Sequence, residues 1–205
     1  MARVVAGIAA LVGWSGLALQ LVLIAGQLGW PLGLWRFFGF FTILTNLATA
    51  LVATAMALGS TGRLAGARAR LMAATSIALV GIVYSVALRS LWHPEGLQKL
   101  ADMVLHDVTP VLFAAAWLLA GHAGLRWRDV GWALIPAVAY AVYALARGQI
   151  DGWYAYWFLD PRTQTAGQMI LSIAVLTAFT GLIGAVFFGL DRLLARRRPT
   201  VRQFG

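Results

Sequence analysis

The segment LADMVLHDVTPVLF, Leu100 to Phe113, sets Asp102, His106 and Pro110 at intervals of four. On a helix that spacing stacks the three on one face, one turn apart. Histidine is the side chain whose ordinary pKa suits it to take and return a proton near neutrality. A carboxylate one turn away can orient its ring, as the acidic member of a catalytic triad does. Pro110 has no N–H, so in a regular helix the carbonyl of His106 loses its donor. A second segment, FFTILTN (Phe40 to Asn46), supplies hydroxyls: Thr42 shares a face with Asn46, and Thr45 shares a neighbouring one with Thr49. A threonine hydroxyl is a weak nucleophile until a base lies beside it. Thr42 or Thr45 with His106 as base, Asp102 as orienting acid, and Asn46, Arg89 or a tyrosine facing the oxyanion would make an ester-cleaving site. Each threonine also has a plainer use, a bond back to its own helix. Asn46 is harder to place that way, because an amide in hydrocarbon needs partners on another helix.

The elements that must position these residues are membrane spans. Of 205 residues 61% are apolar and 11% charged, with mean hydropathy +0.80, where soluble domains are about a quarter charged. Runs of about 20 apolar residues cross a bilayer, and the chain divides into six, near 4–27, 35–59, 71–91, 101–121, 130–147 and 168–190. The expected fold is an all-α integral membrane protein, a six-helix transmembrane domain over residues 1–191 and a basic cytoplasmic tail over 192–205. The outer connection 148–167 is rich in aromatics, as suits a belt at the interface, and Asp160 before Pro161 reads as a cap for the last span.

A net charge of +9 invites a nucleic-acid partner, but its distribution does not fit one. Eleven of the sixteen Lys and Arg, among them Arg3, Arg63, Arg126, Arg192, Arg197, Arg198 and Arg202, fall on one side with only Asp129 and Asp191. The other five face five acidic residues on the opposite side. This is the positive-inside pattern, so both termini are expected in the cytoplasm of a multi-pass plasma-membrane protein, the tail resting on anionic lipid. Without cysteine, disulfides, thiolate catalysis and Cys-type metal sites are excluded. Three histidines in separate places make a two-histidine haem or metal site a poor fit, and no cofactor or metal is expected.

Counted at 1.5 Å per residue, His106 lies about 8 Å below the start of its span and Thr42 about 10 Å below the start of its own, both from the same surface. The two can therefore meet. Ser85, Arg89, Asp107, Tyr140, Tyr143 and Arg147 fall at similar depth and complete a polar pocket opening outward. Arg89 has two readings, snorkelling to the interface or facing the pocket. A site at that depth is reached most easily by an amphiphile. A bundle with such a pocket could also carry a lipid without cleaving it, although the inverted repeat and broken helices typical of transporters are not evident.

FFTILTN, LRSLW, LHDVTPVLF, RWRDVGWALIPAVAYAVYALARG and WYAYWFLD resemble a bacterial family of six-span membrane proteins, over residues 37–160 or so. That family is in turn distantly similar to the eukaryotic androgen-induced membrane proteins, threonine hydrolases that cleave fatty acid esters of hydroxy fatty acids. The resemblance implies an intramembrane threonine hydrolase acting on lipid-like esters. It maps the histidine onto His106 through HDVTP, and the threonine onto Thr42 or Thr45, both of which precede Asn46-Leu47. Thr42 is preferred, since it shares a face with Asn46 and its depth matches His106. Ala155 and Trp157 stand where the family pattern has prolines.

Overall fold

The computed structural model describes residues 1–122 and 124–196, and every described regular element is a helix. Arg197, Arg198 and Arg202 lie outside the described residues; Arg192 and Arg196 belong to the last helix rather than to a tail. The chain runs as α1 (Ala2–Leu28), α2 (Trp30–Phe37), α3 (Phe41–Ala57), α4 (Ala67–Val83), α5 (Gly96–Met103), α6 (Thr109–Leu119), α7 (Asp129–Asp151) and α8 (Ala166–Arg196). Two π turns, Tyr84–Leu88 and Val104–Val108, extend α4 and join α5 to α6. Five continuous stretches are long and apolar enough to cross a membrane, and α2 with α3 makes a sixth only as a pair bent by 79°.

That bend corrects the expected second span. The 35–59 run is not one helix: α2 starts at Trp30, with Pro31 at its favoured first-turn position, and the chain turns over Phe38–Phe40 before α3 begins. α3 is 17 residues long, about 26 Å at the helical rise, so the deep part of the span starts at the site itself. Three carbonyls around the bend are claimed from α7. The Tyr140 hydroxyl donates to Gly39 O at 2.8 Å, the Tyr143 hydroxyl to Phe38 O at 3.0 Å, and Arg147 to Trp35 O. Helix ends leave such carbonyls without in-helix donors, and here a polar stripe at i, i+3 and i+7 supplies them. Arg147 also lies 3.7 Å from the Trp35 ring centroid and donates to Tyr143 at 2.7 Å. Arg36 and the Trp35 indole both reach Asp151, at 2.5 and 2.7 Å, fixing α2 to the end of α7.

The core is built from small residues, as close helix packing in a membrane requires. Ala6, Ala9 and Ala10 of α1 are buried with Val52 and Ala53 of α3, Ala73 and Ala74 of α4, and Phe113, Ala116 and Trp117 of α6. Gly81 of α4 matters most for the site. A Cβ there would lie 3.1 Å from the carbonyl oxygen of His106 and 3.3 Å from the Pro110 ring, so only glycine lets α4 approach the π turn this closely. The last span departs from its expected cap. Asp160 accepts the Arg162 N–H at 2.9 Å and a forked pair from its guanidinium, while Thr165 and Gln168 bond reciprocally ahead of α8, a capping box.

Candidate functional site

Pro110 shapes the site. With no N–H it breaks the regular i to i−4 ladder, and the chain answers with a π turn, in which Thr109 N–H reaches back to Val104 O. In that wider register the carbonyl deprived of its donor is Leu105's, not His106's as a regular helix would have it. Asn46 fills the gap from α3: its Nδ2 donates to Leu105 O at 3.2 Å and to Thr42 O at 2.9 Å. Fully buried, the amide pins the start of α3 to the turn that carries His106.

Across that joint Thr42 Oγ1 lies 3.3 Å from His106 Nε2. The other ring nitrogen, Nδ1, is 3.0 Å from Asp102 O and 3.2 Å from Asp102 Oδ1. Both of those partners only accept, so Nδ1 carries the proton and Nε2 turns its lone pair to the threonine hydroxyl. Tyr84, in the other π turn, donates its hydroxyl to Asp102 Oδ2 and stacks its ring on His106, centroids 3.9 Å apart and planes within 16°. The carboxylate thus accepts at both oxygens, and the imidazole is held in plane by a ring whose π face favours the cation formed on proton transfer. Arg89 pairs with Asp107, takes Ser85 Oγ as an acceptor at 3.3 Å and lies 4.9 Å from the Tyr84 centroid. The two π turns are therefore tied at two points, Tyr84 to Asp102 and Arg89 to Asp107.

A third ring comes from the aromatic connection. The Tyr156 hydroxyl accepts the Thr42 backbone N–H at 3.5 Å, which leaves its own proton available beside the threonine. Desolvation raises the pKa of this phenol, and its contacts with Thr42 and Phe41 oppose the shift, so it stays protonated and able to donate. Tyr156 is packed edge-on to Phe40 and Tyr140 and stacked on Phe158. The connection is thus folded over the site and is more than an interfacial belt.

Two cavities meet at Thr42. One, about 400 Å³, lies at the end of the bundle bearing Trp92 and Trp157, and is lined by Thr42, His106, Asp102, Tyr84 and Tyr156 together with Gln20 and Gln98. We term it the mouth. The other, narrower at about 70 Å³, passes Thr42, Tyr84 and Tyr156 between α4, α7 and α8, where Leu79, Val83 and Leu176 make its wall. We term it the side channel.

Of the residues expected to form the site, Thr42, His106, Asp102 and Asn46 converge, and the rest are used otherwise. Asn46 commits both amide protons to carbonyls, so it positions and does not face an oxyanion. Thr45 is buried on the neighbouring face and lines a separate apolar cavity of about 430 Å³ between α3, α4 and α7. Arg89, Ser85 and Asp107 form a half-exposed clamp, the Arg89 side chain 49% exposed, and line neither mouth nor channel. Tyr143 and Arg147 serve the α2–α3 bend; Tyr140 does too, though its ring also walls the side channel. Sequence reasoning missed Tyr84, Tyr156 and the pair Gln98 Nε2 to Gln20 Oε1, 2.8 Å. Gln20 left a signal as a lone amide in an apolar span; the tyrosines did not, since aromatics near span ends read as interface anchors. Among the described residues no three His, Asp or Glu side chains converge to hold a metal ion.

No family model, curated protein or solved structure matches this chain.

Proposed function

We propose that the protein is an intramembrane hydrolase of lipid-like esters, with Thr42 as nucleophile and His106 as general base. The supporting observation is the relay Thr42 Oγ1 to His106 Nε2 at 3.3 Å, with Nδ1 held by Asp102, at the junction of two cavities. Thr42 Oγ1 bonds to the ester carbonyl carbon as its proton passes to Nε2. The carbonyl oxygen takes the electron pair and receives a hydrogen bond from the Tyr156 hydroxyl. Collapse breaks the bond to the alkoxy oxygen, which leaves as an alcohol with the proton from Nε2, and acyl-Thr42 remains. Water then attacks the acyl carbon, giving a proton to Nε2. The C–Oγ1 bond breaks, the proton returns to Oγ1, and the acid is released.

The resemblance to threonine hydrolases belongs to the same proposal, as do placement in the plasma membrane with both termini inside and entry of substrate from the outer leaflet. The charge asymmetry along the sequence supports that orientation. A second reading, lipid binding without hydrolysis, draws on the apolar cavity beside Thr45, which is as large as the mouth and has no base in its lining.

The test is a fluorophosphonate ester probe on detergent-purified protein, read by intact mass alongside Thr42→Ala, Thr45→Ala and His106→Ala. The proposal expects one adduct, lost in Thr42→Ala and His106→Ala and kept in Thr45→Ala. Absence of labelling on folded protein would replace it with the binding reading.

A further inference from the structure

The two cavities are unequal in chemistry, and this orients the substrate. His106 and Asp102 line the mouth and not the side channel, whereas Thr42 borders both. A leaving alkoxy oxygen must take its proton from His106 Nε2, so it departs on the mouth side. The acyl chain then lies in the side channel, whose walls are almost wholly apolar and include Ile173, Leu176 and Thr177 from the partly exposed face of α8.

The mouth is polar in a particular way. Beyond the reacting groups its hydrogen-bonding side chains are Gln20 and Gln98, joined to each other, together with the flanking indoles of Trp92 and Trp157. Joined amides still present one carbonyl oxygen and spare N–H donors, whichever way they are turned. A hydroxyl, donor and acceptor at once, matches that set. A carboxylate can only accept, and in the mouth it would face Asp102 with no lysine or arginine among the lining residues. The nearby guanidinium groups are taken, Arg89 by Asp107 and Arg36 by Asp151. Desolvating an unpaired carboxylate beside another is strongly unfavourable.

We infer that the alcohol half of the substrate is a neutral, hydroxyl-bearing head group, of the glycerol monoester type, held in the mouth by Gln20 and Gln98. This rests on the hydrolase reading and refines it, and it departs from the carboxylate-bearing alcohol half that the resemblance implies.

Three octanoyl esters separate the possibilities: glycerol 1-octanoate, the octanoyl ester of 12-hydroxystearic acid, and p-nitrophenyl octanoate. The inference expects kcat/KM for the glycerol ester to exceed that for the carboxylate-bearing ester by about tenfold or more, the worth of one good hydrogen bond to a neutral partner. Gln98→Leu and, independently, Gln20→Leu should lower kcat/KM for the glycerol ester about tenfold more than for the nitrophenyl ester. Equal or better turnover of the carboxylate ester overturns the inference, and so does an equal fall for all three esters in both variants. In either case the nitrophenyl activity leaves the hydrolase reading standing. Failure to cleave any ester, with no adduct on Thr42, removes that reading and the inference with it.

Discussion

Asn46→Leu separates the folding role of the buried amide from its role in placing the threonine. The substitution nearly conserves volume and removes two N–H donors, to Thr42 O and Leu105 O. Each such bond contributes about 1 kcal/mol net. As a residue inside α3, Thr42 keeps the regular helical partner for its carbonyl, but Leu105 O does not, because the residue that would serve it is Pro110. Against that loss stands a gain. Asn46 Oδ1 is itself buried with no hydrogen-bond partner among the described residues, a liability of about 1–3 kcal/mol that disappears with the amide. The opposing terms are of one size, so the midpoint of thermal unfolding in detergent should move by only a few degrees. Activity should behave differently. Thr42 and His106 are already 3.3 Å apart, and Asn46 is the side chain that ties α3 to the π turn between them. A further separation of about 1 Å costs on the order of 100-fold. We expect kcat/KM for p-nitrophenyl octanoate to fall about 100-fold with Tm nearly unchanged. Asn46→Asp, which cannot donate to either carbonyl and adds a buried charge, should lose both activity and stability. Wild-type turnover by a folded Asn46→Leu protein would refute the positioning role, and so would a loss that merely tracks the fraction unfolded.

Tyr156→Phe removes the one phenol proton free beside Thr42; steady-state kinetics should show kcat down by about 100- to 1000-fold with KM little changed, the usual size for one oxyanion donor. In Tyr84→Phe the stacking on His106 survives while the bond to Asp102 is lost, so the pH–rate profile should shift and kcat fall less than in Tyr84→Ala, which loses both. At the opposite end of the bundle, His122 Nδ1 pairs with Asp191 at 2.9 Å, both side chains at most 3% exposed. Removing one partner of such a buried pair typically destabilises by about 3–5 kcal/mol, so His122→Ala should lower Tm markedly, while the protein that remains folded still labels at Thr42. The Arg162 guanidinium, through its hydrogen bonds, holds the Asp160 carboxyl below its ordinary range. A depressed folded-state pKa gives stability that is complete above the unfolded value, about 3.9, and is lost as pH falls through the folded one. Asp160→Asn should therefore melt below wild type at neutral pH and converge with it in acid, a small difference because Arg162 is 65% exposed.

What could be read from the sequence, and what could not, follows from how far each interaction reaches. The face shared by Asp102, His106 and Pro110 was legible because i, i+4 neighbours are fixed by the helix itself. The pairing of Thr42 with His106 was anticipated partly for the wrong reason. Equal depth was counted along an unbroken second span, yet the chain bends over Phe38–Phe40 and Thr42 is the second residue of α3. The bend brings the threonine to the histidine by starting a new helix at the site. Its cause is not local: the carbonyls it frees are answered by Tyr140, Tyr143 and Arg147, more than 100 residues later. Those residues were visible as a polar stripe on one helix face, but a stripe shows only which way side chains point, and a pocket and a set of helix caps demand the same spacing. The π turn follows the same logic. Pro110 declares that a carbonyl will lack its donor, while the register that results, and so whether residue 105 or 106 is orphaned, is settled by Asn46 arriving from another helix. Proline and asparagine each looked costly inside an apolar span when taken alone. Together they are one device, in which the amide supplies the hydrogen bond the proline cannot, and the geometry of Thr42 and His106 depends on that exchange.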